Sequence, residues 1–154
     1  MFRLSKMTDY GVVVLGQLAG QRGRLLSAPD VAEATGLPSA TVSQVLKTLA
    51  GAGIVVSHRG ARGGYEMARA PEAVTVRELV VAFEGPLAVT ACVEGAEDNC
   101  AVESLCLLAG GWEQVNTAIR TALDSVTLAD VLRPITHFGR ADAPAEPVKR
   151  EARL

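Results

Sequence analysis

"LPSATVSQVLKTLAGAGIVVSHRGARGGYEMAR", residues 37–69, is the stretch on which the fold turns. Val42, Val45, Leu46 and Leu49 fall at i, i+3, i+4 and i+7, which predicts a helix with one buried stripe. The other side carries Ala40, Gln44 and Lys47, flanked by Thr41, Ser43 and Thr48: a small, polar, hydrogen-bonding face. Alone, that helix would suit the surface of any bundle. It is followed, however, by an apolar strand at 54–56, a turn of glycine and arginine, and a second strand beginning near Tyr65. A hairpin directly after such a helix is the wing of a winged helix. His58, Arg59 and Arg62 gather at its tip among Gly60, Gly63 and Gly64. Glycine allows close backbone approach, and arginine contacts phosphates or enters a narrow minor groove. A solvated hairpin turn is the plainer alternative, but the position behind a helix pair favours DNA.

Upstream, "SAPDVAEATG" (27–36) opens a helix with Ser27 as cap and Pro29 in the first turn, and Gly36 stops it. With the helix at 39–51 it forms a helix-turn-helix pattern. Further upstream, Thr8 can cap a first helix with Asp9 in its first turn. Val12, Val13, Leu15, Gly16, Leu18 and Ala19 would bury one side of it. Downstream, Thr75 and Glu78 read as a capping box for a helix through about Glu84, ended by Gly85-Pro86. From about Val102 a long apolar stripe resumes with Leu105, Leu108, Trp112, Val115, Ile119, Ala122 and Leu123. It exceeds what a small winged helix needs, so a second copy is the simplest partner, through a coiled-coil-like helix pair. Packing back onto its own chain is the alternative. Thr127 to Asp130 can cap one more short helix, ended by Pro134.

The expected architecture is mainly α with a small β-hairpin. A winged helix-turn-helix with its supporting helix spans 1–84, a cysteine-containing loop 85–107, a dimerisation helix and short following helix 108–135, and a disordered tail 136–154.

The 154 residues, 49% hydrophobic, can bury an ordinary core. Their net charge of −2 conceals a division: residues 1–70 sum to +4 and the remainder to −6. A basic module joined to an acidic one suits a nucleic-acid reader with a separate sensing or assembly part. No apolar run is long enough to span a membrane and no signal-peptide pattern opens the chain, so a cytoplasmic location is expected. There is no C-x-x-C, no glycine-rich phosphate loop and no Ser/His/Asp constellation, so an enzyme is not expected.

All three cysteines, Cys92, Cys100 and Cys106, lie in one acidic stretch, "CVEGAEDNCAVESLC". An odd number cannot pair off, and reduced thiols in that compartment point to metal binding or redox chemistry. Buried small hydrophobes are the plain alternative, apt for Cys106 alone but less so for three thiols beside Gly95, Glu97, Asp98 and Asn99.

With these pieces placed, the sequence resembles the Rrf-type iron–sulfur winged-helix transcriptional regulators, the IscR-like and NsrR-like proteins. Within them it is most similar to the branch that regulates SUF-system iron–sulfur cluster assembly. The resemblance rests on "LSKMTDYGVVVL", "LPSATVSQVLKTLAGAGIV", the wing "SHRGARGGYEMAR", "AFEGPLAVTAC", the cysteine trio and "NTAIRTALDSVTLADV", about residues 2 to 132. It implies that Cys92, Cys100 and Cys106 hold a [2Fe–2S] or [4Fe–4S] cluster, with one ligand still to find. IscR-like proteins place a histidine three residues past the last cysteine, where this chain has Ala109, and neither His58 nor His137 matches. NsrR-like proteins use an aspartate in "TDY" from the other subunit, which makes Asp9 the candidate here; a plain helix-dipole charge is its other reading. Glu94, Glu97, Asp98 and Glu103 are local alternatives, and the Cys92–Cys100 gap is longer than the IscR-like spacing.

The expected function is transcription regulation by a cytoplasmic homodimer on a roughly palindromic duplex, switched by iron–sulfur, redox or nitric oxide status. Thr41, Ser43, Gln44 and Lys47 would contact bases or nearby phosphates, and Ser39 and Arg3 the backbone. His58, Arg59, Arg62, Gly63, Gly64 and Tyr65 make up the wing contact. A winged-helix repressor without a cluster, switched by cysteine oxidation or holding structural zinc, is the competing expectation.

Overall fold

The computed structural model describes residues 3–60, 62–91, 93, 96 and 111–133. The cysteines, the acidic alternatives between them, the stripe before residue 111, His137 and the tail lie outside the described residues.

The element order is α1 (Lys6–Gly20), α2 (Ala28–Thr35), α3 (Ser39–Gly51), β1 (Val55–His58), β2 (Gly64–Met67), a single 3₁₀ turn (Pro71–Ala73), α4 (Val76–Glu84), α5 (Gly111–Asp124) and α6 (Leu128–Leu132). This is the expected helical domain with one antiparallel hairpin. The strands pair Val55 with Met67, Val56 with Glu66, Ser57 with Tyr65 and His58 with Gly64. Leu26, between α1 and α2, adds an isolated bridge on the outer side of β2, through reciprocal backbone bonds with Tyr65 of 3.1 and 2.8 Å.

The stripe Val42, Val45, Leu46 and Leu49 of α3 is buried as its spacing requires, and packs with Val14, Leu15, Val31, Ile54, Val74 and Leu79. Each such side chain contributes about 1.5–3 kcal/mol when fully removed from water. Ser27 with Asp30, Thr75 with Glu78, and Thr127 with Asp130 form closed capping boxes at α2, α4 and α6. Gly36 ends α2 at φ +71°.

Three details differ from the sequence reading. The cap of α1 is Ser5 rather than Thr8, which sits one turn inside the helix and is buried. The buried stripe of α1 is Thr8, Gly11, Val14, Leu15 and Leu18, leaving Val13 46% exposed. A run of three valines fits a helix in more than one phase, and contact with α3 and α4 selects this one. The first strand starts at Val55, because Ile54 belongs to the core at the close of α3.

The C-terminal part folds back. Val76 N–H bonds Val126 O at 2.9 Å and Leu128 N–H bonds Val74 O at 2.8 Å, so Leu128 is fully buried in the winged-helix core. Helix α5 lies against α4. Among the described residues no helix is long and apolar enough to cross a membrane.

Candidate nucleic-acid interface

Helix α3 turns its polar side outward. Ser39, Ser43, Gln44 and Lys47 are exposed, and Thr41 is half-buried beside them. Ser43, Gln44, Lys47, Thr48 and Gly51 line a shallow open depression along that face. The helix starts after Pro38 with no side-chain cap, so its first amides are not taken by a side chain. Ser39 stands at that start, where backbone N–H groups and the helix dipole favour an anion.

The wing stands beside this helix, and its shape is fixed by glycine. Gly60 has φ +121°, and Gly63 N–H bonds Gly60 O at 2.9 Å. A Cβ on Gly63 would run into the His58 carbonyl. One on Gly64 would lie 2.8 Å from the Leu26 carbonyl oxygen, in the Leu26–Tyr65 bridge. Gly64 is therefore buried, and Tyr65 packs on the core, so these two attach the wing to the domain. Arg59 and Arg62 extend from the attached hairpin and are exposed.

The basic residues differ in their pairing. Arg22, Arg69, Arg77 and Arg133 are paired with Glu72, Glu78, Asp124 and Asp130. Arg3, Lys47, Arg59 and Arg62 make no ion pair among the described residues. Lys6 and Arg24 are likewise unpaired among the described residues. Of the set, Lys47 lies on α3, Arg59 and Arg62 on the wing and Arg3 on the N-terminal arm, where phosphate would be the partner. His58 is different: its Nε2 lies 2.7 Å from Glu66 Oε1 across the hairpin. The sequence reading misses Glu66, because an acid on a wing strand carries no signal there.

The segment that leads to Cys92 is held at its start and again at residues 87–89. Gly85 breaks α4 at φ +85°, and Glu84 just before it accepts the Ser5 N–H at 2.8 Å and the Thr8 hydroxyl. Asn116 of α5, 1% exposed, holds the backbone at residues 87–89. Its oxygen accepts from Val89 N–H at 3.3 Å or, with the amide turned over, its nitrogen donates to Leu87 O at 3.2 Å. Asn116 is detectable in the sequence as the polar residue within the stripe 112, 115, 119, 123. Glu84 has no such signal, since its partners are far away along the chain.

Asp9 is exposed in the first turn of α1, and its carboxylate has no partner among the described residues. It is available to a ligand. Among the described residues no group of three or more His, Cys, Asp or Glu side chains could hold a metal. By chemistry alone, the three thiols of the cysteine stretch are donors that suit iron–sulfur or zinc, with a carboxylate to complete the set.

A family model described as Rrf2, iron-dependent transcriptional regulator, matches residues 4–134. The HTH-type transcriptional regulator CymR of Bacillus subtilis is 30% identical over 130 residues, covering 84% of this chain and 88% of its own. Its solved structure, described as that of the global cysteine regulator, matches with a TM-score of 0.62 and 29% identity over 86% of this chain and 97% of that one. The regulator NsrR of Bacillus licheniformis is 26% identical over 137 residues, 88% of this chain and 96% of its own. The structure of T. potens IscR matches with a TM-score of 0.58 and 32% identity, over 85% and 86% of the two chains.

Proposed function

The chain belongs to the Rrf2 family of transcriptional regulators, DNA-binding winged-helix proteins rather than enzymes, and from that premise we propose that it is an iron–sulfur-sensing regulator acting as a homodimer. The observation that carries the DNA-binding part is the set of exposed, unpaired cations on α3 and the wing. Lys47, Arg59 and Arg62 stand exposed without carboxylate partners on one helix and one wing, whereas Arg22, Arg69, Arg77 and Arg133 are paired. Two copies of α3 enter successive major grooves of a roughly palindromic duplex, half-sites one turn or a multiple apart. Ser43, Gln44 and Lys47 face base edges, with Thr41 beside them; Ser39 and Arg3 hold the backbone, and Arg59 and Arg62 flank the minor groove. Gly63, Gly64 and Tyr65 fix the hairpin that carries those arginines. His58 contributes to the wing through its pairing with Glu66.

Cys92, Cys100 and Cys106 hold the cluster, with Asp9 from the partner subunit as fourth ligand. When bound, it supplies a redox- and nitric oxide-reactive centre, and its output is control of iron–sulfur assembly genes. The exposed, partnerless carboxylate of Asp9 supports that assignment. Residues 85–107 serve as the sensing segment and residues 108–135 as the dimerisation part, with α6 returned to the winged-helix core. The cytoplasm is the compartment in which such thiols stay reduced.

A second reading is favoured by the likeness to the global cysteine regulator. In it the same thiols act without a cluster, by oxidation or around structural zinc, and the DNA-binding part is unchanged.

The DNA-binding part is tested on a duplex selected from a random pool. Lys47→Ala is expected to lower affinity and reduce the salt slope of the dimer by about 2, and the Arg59→Ala/Arg62→Ala pair by about 4, since each change occurs in both subunits, and each without loss of thermal stability. Unchanged affinity and slope at physiological salt in both variants would sink the reading.

A further inference from the structure

Helices α2, α4 and α6 close their N-termini with a carboxylate three residues after the cap. Helix α1 does not. Its cap is Ser5, and the residue three positions on is Thr8, which has a hydroxyl and no carboxylate. The missing carboxylate comes from another helix: Glu84 Oε1 accepts the Ser5 N–H at 2.8 Å and the Thr8 hydroxyl. Ser5 Oγ accepts in turn from Thr8 N–H at 3.4 Å. The capping box of α1 is thus completed across 76 to 79 residues of chain by the last residue of α4. Hydrogen bonds from Thr8 and Ser5 hold the Glu84 carboxyl below its ordinary value, so it is charged at neutral pH.

A local box would make the start of α1 independent of the rest of the molecule. This one makes it depend on where α4 ends. Gly85 follows immediately, then the backbone at 87–89 pinned by Asn116, then Cys92. On the other side of the box, Arg3 precedes the cap, Asp9 sits in the first turn, and α1 packs against α3. Arg3 and Leu4 line the same cleft as Glu84, Leu87, Val89 and Asn116.

We propose that Glu84 is a positioning residue that couples the segment bearing the cysteines to the start of α1, and so to the placement of Arg3 and α3 on DNA. It rests on the reading of that segment as the sensor. Displacement of residues 85–91 by a change at the thiols pulls the carboxylate from Ser5 and Thr8, uncaps α1 and loosens the arm that precedes it.

The test uses the full chain, wild type against Glu84→Ala and Glu84→Gln. Amide hydrogen exchange is read over residues 5–10. DNA affinity is compared between protein reconstituted anaerobically with iron and sulfide and the same protein stripped by chelator. Glu84→Ala is expected to speed exchange in the first turn of α1 about tenfold, with α3 unchanged, and to bring the ratio of the two affinities close to one. Glu84→Gln keeps an acceptor oxygen and should recover most of both. Thr8→Val removes one arm of the box and serves the same comparison if Glu84→Ala does not fold. Unaltered exchange overturns the cap, and faster exchange with an unaltered ratio overturns the coupling. A wild-type ratio of one overturns the sensing reading and the coupling that rests on it; exchange then still reports whether Glu84 holds the helix.

Discussion

At Gly64 the wing is joined to the rest of the domain by the absence of a single carbon. A side chain there would press on the Leu26 backbone, with contacts of 2.8 to 3.1 Å to its oxygen, carbonyl carbon and nitrogen. Backbone cannot yield as the end of a side chain can, so the Leu26–Tyr65 bridge must open or the hairpin must shift. Gly64→Ala is expected to cost about 1–3 kcal/mol, within the range of overpacked sites, measured by denaturant unfolding. The same variant should lose DNA affinity, because Arg59 and Arg62 are carried by the displaced hairpin. A neutral effect on stability would mean that Leu26 and Tyr65 do not pair in solution. At this scale the sequence marks the residue without revealing what it does. Its pattern groups Gly64 with the wing contacts, whereas its surroundings make it an attachment point.

Among elements, helix starts respond to pH. Asp30 and Asp130 are held below the ordinary 3.8 by the hydroxyls, and then the N–H groups, of Ser27 and Thr127. Glu78 is pulled two ways: burial raises it, but bonds from Thr75 and Arg69 prevail and leave it below 4.5. A carboxyl whose value is lower in the folded chain stabilises it above the unfolded value, and that contribution is lost as pH falls through the folded one. Stability should therefore be level with respect to these groups above about pH 4.5 and decline below it. In Thr75→Val the decline should be shallower, as followed by thermal unfolding across pH; an identical slope would mean that the box contributes nothing. These boxes show why much of the fold is legible in advance. Cap and carboxylate lie three residues apart, and the α3 stripe lies within one helix, so both are local patterns. The docking of Leu128 and the box between Ser5, Thr8 and Glu84 join residues 50 or more apart, and one sequence holds no trace of such pairings. The phase of α1 is hidden for a related reason: Val12, Val13 and Val14 are equally apolar, and only contact with neighbouring helices chooses among them.

For the whole molecule, the proposed assembly turns on the exposed stripe of α5. Trp112 and Val115 are 44% and 43% exposed in the single chain, and Val81 and Val89 are open as well. A second copy that covers this stripe would place two recognition helices on one duplex. Val115→Glu is expected to shift the protein to a monomer in sedimentation while keeping its unfolding temperature, and to cut the salt slope of DNA binding by about half. A dimer that persists unchanged would place the contact elsewhere. The proposed sensing belongs to this scale too, since in it Asp9 would reach the thiols of the other copy. The most direct measurement is made on protein purified without oxygen: visible absorption, with iron, acid-labile sulfide and zinc per chain. A cluster on the three thiols predicts brown protein with comparable iron and sulfide, both lost in Cys100→Ala. Colourless protein with zinc, or with no metal even after anaerobic reconstitution with iron and sulfide, would contradict it.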